Sequence, residues 1–188
     1  MIIANKEAAI QKAIFNVLPE CDSFSIMELK NNVLTEKSIL DDGKEEEDKS
    51  RQFIYAGYDS ENELIGFAIP GDQAGFQDII SAMFGYDAVQ QTIIGFEVLE
   101  SKETPGLGDK IFKDAEFKNN FIRLETKPEV LFAKKGEKVK ENEVEGITGA
   151  TISSKAVVEL LKNNLNMWQS RIDDYMESKE KNTKKINE

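Results

Sequence analysis

A long apolar stripe near the C-terminus is the feature that most narrows the fold. From Ser154 onward, Val157, Val158, Leu160, Leu161, Leu165, Trp168, Ile172 and Tyr175 recur at three- and four-residue spacings. That period marks an amphipathic helix, and such a helix is stable when its stripe is covered. Trp168 and Tyr175 read as packing residues on the stripe. Strands precede it. Phe53, Ile54, Tyr55, Gly57 and Tyr58 lead into the turn signal Asp59-Ser60-Glu61-Asn62, and Leu64 to Ile69 returns as a hairpin partner. Gly71 and Gly75 mark another turn, and the apolar runs 76–84 and 92–100 read as a second hairpin. Hairpins build antiparallel sheets. The expected class is α+β: a largely antiparallel twisted sheet built from hairpins, flanked by N-terminal and C-terminal helices.

Ile10, Ala13, Ile14, Val17 and Leu18 place the N-terminal helix at about 5–18, and Pro19 stops it. A second short helical stretch is expected from Phe24 towards Leu34. Residues 41–50 (DDGKEEEDKS) read as a solvated charged loop. The 188 residues fit one domain, assigned to 1–176. From Glu177 the stripe gives out, so 177–188 is expected to be a frayed tail.

Composition closes several routes. The chain has 24 Lys and Arg against 35 Asp and Glu, a net charge of −11. Such a polyanion repels phosphate backbones, so no nucleic-acid partner is expected. Histidine is absent and Cys21 is the one cysteine. Histidine acid–base catalysis, histidine-ligated metal or haem, cysteine-rich metal sites and a paired-cysteine redox centre therefore fall away. No metal site is expected. Redox chemistry in this chain needs a bound organic cofactor. No apolar run reaches the ~18 residues that suggest a membrane span.

Two segments can carry chemistry. The first is Gly146-Ile147-Thr148-Gly149-Ala150-Thr151-Ile152-Ser153-Ser154, at the mouth of the C-terminal helix. Small residues let a ligand approach the backbone, and a helix N-terminus suits a phosphate. Capping by a serine or threonine hydroxyl explains the same residues. The second is Glu103-Thr104-Pro105-Gly106-Leu107-Gly108, where Pro-Gly suits a type II turn. Neither segment has the spacing of a P-loop or of a dinucleotide fingerprint. Lys134, Lys135, Lys138 and Lys140 form a small basic patch, read as a solvated turn or a docking point.

Taken together, ETPGLG (103–108) and TGATISS (148–154) resemble the FMN-binding domain of the Rnf and Nqr flavin subunits, RnfG and NqrC. The resemblance covers most of the chain, from the helix ending VLPE to the final helix. It implies an electron-transfer flavoprotein that carries FMN covalently, as a phosphoester on Thr151 installed by a separate flavin transferase. It places Thr148 and Ser153 at the motif's hydroxyl positions, with Gly149 and Ala150 between them, and Glu145 at its acidic position, where Asp is usual. Glu103, Thr104, Leu107 and Gly108 are implied flavin contacts, with Glu103 near the ring lowering its potential and Leu107 as an apolar platform. No catalytic acid–base residue is implied. The partners implied are the other subunits of a membrane redox complex, Rnf-type and ion-translocating. The domain would face the extracytoplasmic side of the cell membrane, tethered by an N-terminal anchor that this sequence lacks. The chain would be a redox subunit rather than a stand-alone enzyme. The alternatives are a lone extracytoplasmic electron carrier and a binding or sensory module of the same fold without covalent FMN. An FMN reductase is a third reading.

Overall fold

The computed structural model describes residues 2–37 and 52–186, so the 41–50 loop lies outside the described residues. Helix α1 (Ile2–Val17) comes first, then β1 (Ser23–Lys30), β2 (Val33–Glu36), β3 (Phe53–Tyr58), β4 (Leu64–Ala74), β5 (Ile79–Asp87) and β6 (Thr92–Glu100). Two short helices follow, α2 (Lys110–Lys113) and α3 (Ala115–Asn119). Then come β7 (Leu124–Glu125), β8 (Leu131–Ala133), β9 (Glu143–Glu145) and α4 (Thr151–Ile186). One seven-stranded sheet runs in the order β2-β1-β3-β4-β5-β6-β7, antiparallel throughout. The α+β expectation holds. A separate parallel pair, β8 with β9, lies outside the hairpin pattern.

The central strands are covered on both faces. On β4, Phe67 and Ile69 pack into the cluster that includes α4, whereas Ala68 joins the cluster around α1. On β5, Ala82 and Phe84 take the α4 side and Met83 the α1 side. Successive side chains point to opposite faces. A strand buried on both faces therefore reads as a continuous apolar run rather than an alternation. The α4 stripe supplies Val157, Val158, Leu160, Leu161, Leu165, Trp168 and Ile172 to the larger cluster, with Tyr175 against its edge.

A track of glycines seats the end of α1. Gly57 pairs with Gly66, and Gly85 with Gly95, across adjacent strands. A Cβ on Gly85 would lie 1.9 Å from the Val17 carbonyl oxygen, and one on Gly95 would lie 2.5 Å from it. A Cβ on Gly57 would lie 2.5 Å from Leu18 Cδ1. The missing side chains let Val17 and Leu18, both fully buried, press onto the sheet.

Three expectations differ from the structure. The stretch from Phe24 towards Leu34 is not helical but forms the hairpin β1–β2, with Lys30 opposite Val33. Asn31 and Asn32 have φ of 49° and 65°. Consecutive left-handed residues make a two-residue hairpin turn matched to strand twist, and asparagine tolerates that conformation. Gly71 does not turn the chain; it lies within β4 opposite Ala82, where Asn164 fills the space of its missing side chain. At the other end, the α4 backbone remains helical to Ile186, through most of the stretch read as a tail.

Candidate functional site

The two motif segments fold into facing turns. In the first, the Leu107 amide donates to the Thr104 carbonyl at 3.1 Å, and Gly106 has φ 78°. In the second, the Ala150 amide donates to the Ile147 carbonyl at 3.0 Å, and Gly149 has φ 83°. An i to i+3 bond with positive φ at the third residue is type II geometry, which glycine allows. The turns touch: a Cβ on Gly149 would sit 3.5 Å from Leu107 Cδ2. Between them and the β4–β5 turn is an open cavity of about 320 Å³ lined by Phe76, Thr104, Leu107, Gly108 and residues 149–153.

Its rim is apolar. Phe76 is 61% exposed, Leu107 48% and Ile152 55%. Three large hydrophobic side chains left in water around one cavity mark a binding surface more than scattered exposure does. Phe76 and Ile152 were absent from the sequence-derived set. Ile152 lies inside the second motif segment, and Phe76 lies far from both motifs in sequence, so composition offered no signal for it.

The mouth of α4 supplies donors. The Ser154 amide makes the helix's first i to i−4 bond, to the Ala150 carbonyl at 2.9 Å. The amides of Thr151, Ile152 and Ser153 precede it and have no intrahelical acceptor. The capping reading does not hold. The Ser154 hydroxyl donates to the Ala150 carbonyl at 2.8 Å and accepts from the Ile147 amide at 3.1 Å, both outside those three donors. The Ser153 hydroxyl donates to Glu103 Oε2. Thr151 is exposed on the cavity wall, and no hydrogen bond of its hydroxyl is found among the described residues. The positive helix end and an unengaged hydroxyl therefore share one wall.

Glu103 departs from the expected ring contact. It is buried, and it is not among the residues lining the cavity. Oε1 accepts from the amides of Phe76 at 2.9 Å and Gln77 at 3.0 Å, and Oε2 accepts from Ser153. The carboxylate is occupied by protein donors behind the wall. Asp109, just past the motif, braces the first turn: Oδ1 accepts from the Gly106 amide at 2.8 Å, and Oδ2 pairs with Lys113 at 2.5 Å. The Lys113 ammonium, followed by the Gly106 amide, holds the Asp109 carboxyl below its ordinary range.

Thr148 and Glu145 face away from this cavity. They line a neighbouring polar pocket of about 200 Å³ with Lys110, Asn120 and Lys135. Glu145 accepts from the Gly136 amide at 2.8 Å and pairs with Lys135 at 3.1 Å. These two contacts, the amide first, lower its carboxyl pKa. Lys135 also meets Glu116 at 2.7 Å, so this part of the basic patch is bound within the fold. Buried Asn120 joins α3 to β9, accepting from the Glu145 amide at 2.9 Å and donating to its carbonyl at 3.1 Å. The motif's acidic position thus holds the approach to the second turn rather than the cavity.

The FMN-binding domain model matches residues 75–166, a span that contains the cavity and both turns. A subunit of the ion-translocating oxidoreductase complex of Methanosarcina acetivorans is 32% identical over 151 residues, covering 80% of this chain and 70% of that protein. The chain belongs to the FMN-binding domain family. A second relative of this FMN-binding domain is a subunit of the Na(+)-translocating ferredoxin:NAD(+) oxidoreductase complex of Acetobacterium woodii. It is 29% identical over 82% of the chain and 71% of its own length. The fold is also that of NqrC from Shewanella oneidensis, with TM-score 0.68 and 16% identity over 85% of this chain and 91% of that one. Among the described residues, no helix is long and apolar enough to cross a membrane.

Proposed function

We propose that this FMN-binding domain carries its cofactor as a phosphoester on Thr151 and works as the electron-transferring flavin subunit of an Rnf-type, ion-translocating membrane complex. The observation that carries the reading is the unengaged Thr151 hydroxyl, on the wall of an apolar-rimmed cavity at the start of a 36-residue helix. The residues fit the group. The free amides of Thr151, Ile152 and Ser153 offer donors and a positive dipole end to a phosphate. Phe76, Leu107 and Ile152 offer the apolar surface that a flavin ring system covers. A bound flavin takes up and releases electrons singly or in pairs, chemistry no side chain of this chain provides.

The cavity is small and open, at the lower end of the range for ligand pockets. Open access favours electron exchange and weakens noncovalent retention, and an ester bond removes dissociation from that balance. The ring's potential would be set by the groups that touch it; Glu103 is turned to protein donors instead. The assignment to a complex rests on the names of the two relatives, and the extracytoplasmic placement and the need for a flavin transferase rest on the motif resemblance.

Mass spectrometry of the full chain, co-expressed with a flavin transferase, tests the attachment. The expected adduct is FMN minus one water, lost in Thr151→Val and retained in Thr148→Val. An adduct of that mass surviving in Thr151→Val refutes the ester on Thr151.

A further inference from the structure

We infer that Glu103 is the positioning residue that assembles the flavin cavity, joining its three walls through one buried carboxylate. The inference deepens the FMN reading and rests on it. The walls come from the β4–β5 turn with Phe76, the Thr104–Gly108 segment, and the first turn of α4. Glu103 touches all three. It accepts from the amides of Phe76 and Gln77 on one oxygen and from the Ser153 hydroxyl on the other. It stands directly before Thr104 in the chain.

The packing leaves room for that carboxylate and little else. A Cβ on Gly75 would lie 2.5 Å from Glu103 Oε1, and one on Gly108 would lie 2.6 Å from Oε2 and 2.8 Å from Ser153 Oγ. Glycines on both sides therefore make the space into which the carboxylate reaches. The two motifs are thereby coupled: the first residue of ETPGLG holds the serine two positions after the attachment threonine. The carboxylate also fixes Phe76, a rim residue outside both motifs, by its backbone amide. One side-chain oxygen thus serves the two turn amides and the other end of the group meets the serine hydroxyl, which can itself accept or donate.

The test uses the full chain, with and without attached FMN, in wild type, Glu103→Ala, Glu103→Gln and Ser153→Ala. Two quantities are read: amide hydrogen exchange at Phe76 and Gln77 in the flavin-free chain, and visible circular dichroism of the attached flavin. In Glu103→Ala, both amides exchange on the order of tenfold to a hundredfold faster, and the flavin signal falls towards that of free FMN. In Glu103→Gln, the side-chain oxygen still accepts from both amides and its NH2 donates to Ser153, so both readouts stay near wild type. Ser153→Ala removes one bond of three. It keeps the amide protection and lowers the flavin signal, which separates positioning from loss of fold. Wild-type amide protection and flavin signal in Glu103→Ala overturn the inference. So does an unchanged flavin signal in Ser153→Ala, or a Gln variant as impaired as the Ala variant. If wild type accepts no FMN, the FMN reading fails by itself, and the amide exchange still decides whether Glu103 holds the walls together.

Discussion

Gly108→Ala puts the geometry behind the cavity under a direct steric load. The new Cβ would lie 2.6 Å from Glu103 Oε2, 2.8 Å from Glu103 Cβ and 2.8 Å from Ser153 Oγ. All three atoms belong to a buried, hydrogen-bonded pair, so neither partner can swing into solvent. Relief requires the pair to separate. Overpacking of this kind costs about 1–3 kcal/mol, and a hydrogen bond to a charged group contributes a further ~1.5–3 kcal/mol. An expected loss of about 3–5 kcal/mol corresponds to a melting-temperature drop of roughly 6–20 °C for a chain of this size. Gly106→Ala is the internal control. Its Cβ would meet nothing within 4 Å, and its φ of 78° leaves only the left-handed backbone penalty, about 1–2 kcal/mol. Thermal and urea denaturation of both variants, followed by far-ultraviolet circular dichroism, gives the comparison. If Gly108→Ala is no less stable than Gly106→Ala, the close packing of Gly108, Glu103 and Ser153 is refuted.

Gly85→Ala should lift α1 from the sheet, because its Cβ would meet backbone, the Val17 carbonyl oxygen at 1.9 Å. The expected cost is about 3 kcal/mol, with amide protection in α1 lost before that of the central strands; wild-type protection there would refute the seating of α1. Asp109 and Glu145 have folded pKa values below the ordinary carboxylate range. The folded state therefore binds fewer protons than the unfolded one near that range. Their contribution is present above about pH 4 and is lost as pH falls through the folded values. Asp109→Asn should flatten the acid decline of the melting temperature between about pH 4 and pH 2, and a decline parallel to wild type would remove Asp109 from that role.

The legible parts of the fold are those with a local cause. The α4 stripe shows in the sequence because each turn of helix returns to one face. The β3–β4 and β5–β6 hairpins show because turn residues separate apolar runs. The β1–β2 hairpin is hidden in the sequence because its signal is only two asparagines, Asn31 and Asn32, between short segments whose apolar spacing fits helix and strand alike. At the site, Pro105-Gly106 announced its turn directly. Thr151 was singled out by motif resemblance, not by its own chemistry, since a hydroxyl at a helix start equally suggests a cap.

By itself the sequence determined the secondary structure wherever periodicity and turn chemistry agree, the absence of histidine and paired-cysteine chemistry, and the two segments that meet at the cavity. The tertiary structure alone decided which partners the motif side chains take. Ser154 bonds the turn before the helix, Ser153 is taken by Glu103, and Thr151 is left with its hydroxyl unengaged. It also brought Phe76 to the rim and buried Glu103, whose carboxylate accepts from the Phe76 and Gln77 amides and from Ser153. The physical reason is that Phe76, Gln77, Glu103 and Ser153 are joined by hydrogen bonds between residues 26, 27 and 50 positions apart. No local period or propensity records a donor that the folded chain delivers from so far away.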